Sequence, residues 1–320
     1  MRASSQAQPN IALVKYWGKR DDARNLPATG SLSLTLDSLW TRTTVEFDPA
    51  LAGDRLEVNG SEAPAMLGRV SRCLDDVAGP GRAAARVSSR GNFPIAAGLA
   101  SSASAFAALV VAANGALGRE RPTLELARAA GRASGSAARS LYGGIVELDA
   151  GGDDIDVVSL AAPADWPLTV TVAVTAATAK SVSSGDAMNR SRRTSPFYGA
   201  WLARQEADLA AARAAVAARD IEALGAVAEQ NCLKMHSVMW TSRPSIVYWN
   251  SATLACLETV RDLRRQGQPV FFTMDAGPQV KVVSLPEAAG TVADALAATP
   301  GVIETLQSGL GDGARLADTS

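Results

Sequence analysis

Histidine occurs once and cysteine three times among the 320 residues of this chain. Cys73, Cys232 and Cys256 are widely spaced, odd in number, and fall into no Cys-x-x-Cys or Cys/His pattern of zinc spacing. Those absences argue against a disulfide scaffold and a structural zinc site, and they fit reduced thiols in a reducing compartment. Long apolar runs are missing too. No stretch reaches the roughly 18 residues that a membrane-spanning helix requires. The opening Met1-Arg2-Ala3-Ser4-Ser5-Gln6 lacks the apolar core of a signal peptide, so a cytoplasmic protein with no membrane partner is expected. Charge has no dominant sign. The formal net charge is −1, and no long block of like charge exists to meet a phosphate backbone. The densest basic cluster, Arg190-Ser191-Arg192-Arg193, reads as a mobile surface loop, and nucleic acid is not an expected partner.

What remains is a globular composition, 47% hydrophobic and 20% charged, in a chain long enough for one large domain or two lobes. Its organising stretch runs from Asn92 to Ser104. Pro94 and Gly98 interrupt the backbone, Ser101 and Ser102 follow, and a helix-forming run continues from Ala105. The first turn of a helix presents unpaired N–H groups and the positive end of the helix dipole. A glycine turn that opens into a helix is therefore suited to cradle phosphate, although an ordinary serine-capped helix start has the same pattern. No Gly-Lys-Ser/Thr follows the turn, so this is not a Walker A loop.

Periodicity places strands at Ile11–Val14, Ser31–Leu36, Thr43–Phe47, Leu56–Gly60, Ala85–Ser88, Ile155–Leu160, Leu168–Thr175, Val270–Met274 and Val280–Ser284. The strict alternation of Ser31 to Leu36 predicts a half-buried strand. Helices are expected over Met66–Val77, from the serine turn to Leu117-Gly118, from Pro122-Thr123 onward, over Tyr198–Arg219, Ile221–Leu233 and Ile246–Gln266, and from Pro286. Lys180 to Pro196 reads as a long hydroxyl-rich loop of the kind that serves as a lid or is disordered. Asp312 to Ser320 reads as a loose tail. The single histidine, His236, follows a helix and is expected to be structural.

Three groups of residues carry candidate chemistry. Lys15 and Lys19 flank Tyr16-Trp17 at the end of the first strand, where they hold anions or simply face solvent. Ser134, Ser136 and Arg139 lie within about one helical turn. An arginine fork beside hydroxyls suits a phosphate or carboxylate, and a capped helix with a surface arginine is the alternative. Asp275 ends an apolar run and enters a Gly277-Pro278 turn, a position that either satisfies turn backbone or presents a rigid carboxylate to a cleft.

Taken together, the segments 10–21, 92–103, 134–144 and 274–278 resemble the mevalonate diphosphate decarboxylases. These belong to the superfamily of small-molecule kinases that includes galactokinase, homoserine kinase and mevalonate kinase. The glycine–serine turn is shared across that superfamily. The Lys15-Tyr16-Trp17-Gly18-Lys19 and Ser134 to Gly144 segments are particular to the decarboxylases, and order and spacing match from Ala7 to about Val283. The resemblance implies an α+β GHMP-kinase fold with a cleft between two lobes. Residues 1–165 would form a lobe like ribosomal protein S5 domain 2 with the ATP phosphate loop, and residues 166–320 a ferredoxin-like lobe with the catalytic aspartate. It also implies ATP- and Mg2+-dependent conversion of mevalonate 5-diphosphate to isopentenyl diphosphate, CO2, ADP and phosphate, on the mevalonate route to isoprenoids.

By the same resemblance Asp275 faces the substrate 3-hydroxyl, Lys15 lies beside it, and Arg139 holds the substrate carboxylate. Tyr16, Lys19, Ser134 and Ser136 line the substrate side. Gly98, Leu99, Ala100, Ser101 and Ser102 would wrap the ATP phosphates, with Ser183 and Ser184 closing over them. Metal ligands are not assigned, and a homodimer is compatible with the resemblance. The chain departs from the family pattern at Ala28-Thr29-Gly30, at Ala138 and at Gln279. That leaves open the choice among mevalonate 5-diphosphate, its monophosphate and mevalonate. A catalytically dead relative acting as a binding protein is the reading from another class, and intact Lys15, Arg139 and Asp275 argue against it.

Overall fold

The computed structural model describes residues 1–93, 101–177 and 181–318. The first half begins with β1 (Arg2–Ala7), β2 (Asn10–Val14), β3 (Lys19–Asp21), β4 (Leu26–Pro27), β5 (Ser31–Thr35) and β6 (Thr41–Phe47). Then come β7 (Arg55–Val58), β8 (Ser61–Glu62), α1 (Pro64–Ala78), β9 (Ala85–Gly91), α2 (Ser101–Ala116) and α3 (Thr123–Ala133). A 3-10 turn (Ala137–Leu141), β10 (Ile145–Asp149) and β11 (Asp156–Ala161) complete it. The second half contains β12 (Thr169–Val174), α4 (Ser184–Thr194), α5 (Tyr198–Ala218), α6 (Ile221–Trp240) and α7 (Ser251–Arg265). It continues through β13 (Val270–Thr273), β14 (Val280–Ser284), α8 (Ala289–Ala297), β15 (Glu304–Ser308) and β16 (Arg315–Ala317).

These elements make a mixed α+β fold of three main sheets. A six-stranded sheet runs β16–β1–β6–β9–β7–β8, with β7 parallel to β9. Two four-stranded antiparallel sheets run β11–β10–β5–β2 and β13–β14–β12–β15. Helix α2 packs on β1 and β6 and also meets α1, α3 and the 3-10 turn. It is buried on nearly every side, which is why its alanine-rich sequence carries no amphipathic stripe. Period-two alternation sorts the β13–β14 hairpin between two cores. Phe271 and Val283 join a cluster with Ile11, Leu32, Val170 and Leu224, whereas Phe272 and Val282 face Cys256, Val260 and Leu296. The first cluster contains side chains from both halves, so the halves share one core and the groups at their junction are held in fixed register.

Four expectations from sequence are corrected. Strand β5 is buried on both faces, because its serines face a buried arginine rather than water. Residues 184–194, expected as loop, form α4. Ser183 accepts the N–H of Asp186 at 3.1 Å and its hydroxyl donates to Asp186 Oδ2 at 2.7 Å, a cap of the Ser-x-x-acid type. Arg190 to Arg193 therefore lie on a helix, where Arg192 pairs with Asp22 at 2.6 Å. The end of the chain is no loose tail. β16 adds to the edge of the first-half sheet, with Ser4 opposite Ala317 and Gln6 opposite Arg315. Finally, α6 extends to Trp240 and contains His236.

Gly144 marks a point where the backbone admits no side chain. Its φ is +74°, and an added Cβ would lie 2.0 Å from the carbonyl oxygen of Ala161. A left-handed conformation alone costs an L residue about 1–2 kcal/mol, and here the overlap is with backbone that must shift. Gly144→Ala is expected to lower the unfolding free energy by at least about 2 kcal/mol in urea denaturation, whereas Gly60→Ala, which meets nothing, should cost less.

Candidate active site

The site forms where β2 runs out against α6 and the β13–β14 hairpin. Lys15 is the first residue beyond β2 and is only 1% exposed. Its backbone N–H donates to Asn231 Oδ1 on α6 at 2.8 Å. Asn231 is itself oriented by donating to Asp208 Oδ2 at 2.7 Å. The ammonium of Lys15 donates to the carbonyl of Ala12 at 2.6 Å and to Oδ1 of Asp275 at 2.9 Å.

Asp275 stands two residues past the end of β13, and the backbone before it is pinned by Cys232. The Met274 N–H donates to Cys232 Sγ at 3.2 Å. A second lysine meets the carboxylate from the other side: Lys281 Nζ lies 3.3 Å from Oδ2. Lys281 is opposite Thr273 in the β13–β14 register, so alternation brings residues 275 and 281 to the same face across a diagonal. The Asp275 side chain is 24% exposed, while the two lysines behind it are buried. Burial opposes ionisation of Asp275, but the ammonium groups of Lys15 and Lys281 overcome it and hold the carboxyl well below the usual carboxylate range. Burial also lowers the ammonium of Lys281, and the charge of Asp275 pulls it back up.

Arg139 is on the 3-10 turn and is 2% exposed. Its Nε donates to Ser33 Oγ at 2.9 Å, Nη1 to Ser31 Oγ at 2.5 Å and Nη2 to Asn10 Oδ1 at 3.2 Å. The polar positions of β5 thus form a socket for the guanidinium. Asn10 also donates to the Ser136 carbonyl at 2.9 Å, tying β2 to the serine segment. Burial lowers the Arg139 pKa to about 10, so it stays charged near neutrality.

The remaining expected residues have contacts of their own. Tyr16 packs so closely on Gly135 that a Cβ there would meet its ring at 2.5 Å, and burial raises its phenol pKa. Ser134 and Ser102 are joined at 3.2 Å, which brings Ser134 to the N-terminus of α2, where Ser101 and Ser102 open the helix. Gly98, Leu99 and Ala100 lie outside the described residues. Lys19 is half-buried in β3, and its carbonyl accepts from Arg192 of α4 at 3.2 Å. Ser183 and Ser184 begin α4, the former as its cap. Beside Ser101 and Ser102 a cavity of about 120 Å³ lies among Thr41, Val58, Arg69 and Phe106. Among the described residues no group of three His, Cys, Asp or Glu side chains is arranged to hold a metal ion.

The sequence reading missed Lys281, Asn231, Cys232 and the cavity. Lys281 alone carried a local signal: a lysine within the apolar strand Val280 to Val283, in phase with Asp275 across a short hairpin.

Sequence profiles of two families match this chain. That of the diphosphomevalonate decarboxylase-like N-terminal domain covers residues 7–161, and that of the mevalonate 5-diphosphate decarboxylase C-terminal domain covers residues 170–308. The chain belongs to the diphosphomevalonate decarboxylase family. Relatives in this family include diphosphomevalonate decarboxylases of Ganoderma lucidum, 34% identical over 88% of this chain and 78% of that protein, and of Homo sapiens, 34% identical over 91% and 78%. The solved mevalonate diphosphate decarboxylase of Staphylococcus aureus superposes with a TM-score of 0.93 at 35% identity, covering 99% of this chain and 98% of that one. A structure described as MDDEF in complex with MVAPP, AMPPCP and magnesium gives 0.92 at 35% identity, over 100% and 99%. The family's two-part α+β architecture is therefore that of this chain.

His236 lies inside α6 and is fully buried, with its ring 5.1 Å from Trp249 and 6.4 Å from Trp240. Burial, reinforced by the charge of Lys15, lowers its pKa to about 3, so it is neutral wherever the fold persists. Between its unfolded value near 6.5 and about 3, the unfolded chain takes a proton that the folded one refuses. Wild-type stability should then fall by up to about 1.4 kcal/mol per pH unit on this account, with no effect above pH 6.5. Urea denaturation at pH 7.5, 6 and 5 should show this loss reduced in His236→Gln, and its kcat should stay within about tenfold of wild type.

Proposed function

We propose that this decarboxylase-family chain uses ATP and Mg2+ to convert mevalonate 5-diphosphate into isopentenyl diphosphate, CO2, ADP and phosphate, with Asp275, Lys15 and Arg139 as the catalytic group. The observation that carries this reading is a partly exposed Asp275 carboxylate gripped from behind by buried Lys15. A tertiary hydroxyl is a poor leaving group. Transfer of the γ-phosphoryl group to the 3-hydroxyl corrects that, and departure of phosphate together with CO2 then forms the alkene through a C3 with developing positive charge. Asp275 accepts or orients the hydroxyl proton. The charge of Lys15 keeps it ionised.

Arg139 is the carboxylate holder in this reading. Three of the five N–H donors of a guanidinium go to Ser33, Ser31 and Asn10, which fixes its plane and leaves two to meet a carboxylate. Tyr16, Lys19, Ser134 and Ser136 take the substrate side, with the hydroxyls and the Lys19 ammonium toward the diphosphate. For ATP, the phosphates belong at the N-terminus of α2 with Ser101 and Ser102, together with Gly98 to Ala100 and Ser183–Ser184. The neighbouring cavity suits the nucleoside. Magnesium is commonly held through phosphates and waters with few protein ligands, which suits a site of serine hydroxyls; there it would neutralise the phosphate charge.

The division into lobes at 165/166 fits the gap between the two family profiles, with β16 returning to the first lobe. Three free, buried cysteines and the lack, among the described residues, of a helix long and apolar enough to cross a membrane support a cytoplasmic setting. A homodimer is compatible with the same reading.

Mevalonate, its 5-phosphate and its 5-diphosphate should be assayed side by side for ADP and CO2. The expected result is turnover of the diphosphate with ADP and CO2 released one for one. ADP without CO2, with a 3-phosphorylated product accumulating, would make this a kinase. Asp275→Asn should lose about 10²–10⁴-fold in kcat while ATP binding persists; activity above a tenth of wild type would make Asp275 a turn residue. Arg139→Lys should lose most of the CO2 release, since a point charge cannot fix the plane of a carboxylate.

A further inference from the structure

Lysine is scarce here: five of the 31 lysines and arginines are lysine. Two of those five, Lys15 and Lys281, direct their ammonium groups at opposite oxygens of one carboxylate, at 2.9 Å and 3.3 Å. Lys281 is 0% exposed and stands between Val280 and Val282, both also at 0%. An unpaired ammonium in such a strand would carry a desolvation cost of several kcal/mol, so its place there depends on an anion. A single lysine on Oδ1 also leaves the carboxylate able to turn about its Cβ–Cγ bond. Cations on both oxygens, delivered by two different elements, fix its plane.

We propose that Lys281 is a second cation of the reacting centre, a positioning residue that fixes the Asp275 carboxylate and keeps it ionised for phosphoryl transfer. This rests on the reading of Asp275 as the group facing the 3-hydroxyl. Among the described residues, the charged and titratable groups whose fields reach Asp275 or its partners are Lys15 from the end of β2, Lys281 from β14, His236 and Cys232 from α6, and Arg139 from the 3-10 turn. With His236 neutral, removal of Lys281 leaves a partly exposed carboxylate with one adjacent ammonium instead of two. Its pKa rises, and activity that depends on the ionised form is lost at a higher pH as the medium is acidified.

The test is kcat and KM for Lys281→Met and Lys281→Gln, each made in wild type and in the Asp275→Asn background, on protein whose folding is checked by circular dichroism. The expected result is a fall in kcat of at least about tenfold at neutral pH in the wild-type background and less than about twofold in the Asp275→Asn background, with KM for mevalonate 5-diphosphate changed less than about threefold. A kcat within about twofold of wild type, or a fall as large in the Asp275→Asn background, would overturn the proposal, the second because loss of packing acts whether or not the carboxylate is charged. If neither variant folds, NMR of protein labelled at lysine Nζ decides. Asp275→Asn should then shift two of the five lysine signals, and a shift of one alone would count against Lys281. A wild type inert toward mevalonate 5-diphosphate, or a fully active Asp275→Asn, would instead sink the reading of the site itself.

Discussion

A carboxylate gripped by two buried ammonium groups is the constraint around which the rest of this structure is arranged. Moving three charges out of water costs several kcal/mol per ion even after relaxation, and attraction offsets that cost only when the geometry is close. The groups must therefore sit on elements that do not drift. Lys15 ends a strand buried on both faces, Lys281 is inside another, and Asp275 occupies the turn that joins β13 to β14. Behind them a single apolar cluster binds β2 and β5 of the first half to β12, α5 and α6 of the second. The shared core keeps charges from distant parts of the sequence within 3.3 Å of the carboxylate.

The same logic explains the polar faces inside the fold. Ser31 and Ser33 alternate with Leu32 and Leu34 as a solvent-facing strand would, yet all are at 0% exposure. The hydroxyls satisfy Arg139, whose guanidinium would otherwise have Asn10 Oδ1 alone as acceptor. Asn10 performs a double duty, accepting from Arg139 and donating to Ser140 Oγ and the Ser136 carbonyl. A buried polar network of this kind is stable only when its members are partnered, and here the partners come from β2, β5 and the 3-10 turn together.

Much of the fold was legible because its signals are local. Alternation marked β12, apolar runs marked β13 and β14, and Asn59-Gly60 marked the β7–β8 hairpin, with φ of 51° and 81° at its two residues. Short motifs likewise pointed to Lys15, Arg139 and Asp275, of which the first and last meet at 2.9 Å. What escaped depended on distant sequence. The alternation of β5 gave a correct strand with a wrong environment, because only the position of Arg139 tells water from protein. Hydroxyl density hid α4 behind the look of a loop, although Ser183 and Asp186 carried the cap. Asn231 and Cys232 have no local signature at all, since their importance lies in meeting Lys15 and Met274 from another helix. β1 and β16 are short and polar, and only their pairing with each other and with β6 makes them strands.

That last pairing sets an order of events. A ribosome makes β16 some three hundred residues after β1, so over that interval the first-half sheet is one strand short. Until then the backbone of Ser4 to Gln6 presents unpaired donors and acceptors along an open edge, a template for any passing extended peptide. Closure of that edge comes only after the second half has emerged. β1 is thus completed by a strand some three hundred residues away, and a nascent or truncated form lacking β16 would differ from the folded protein first in its tendency to associate.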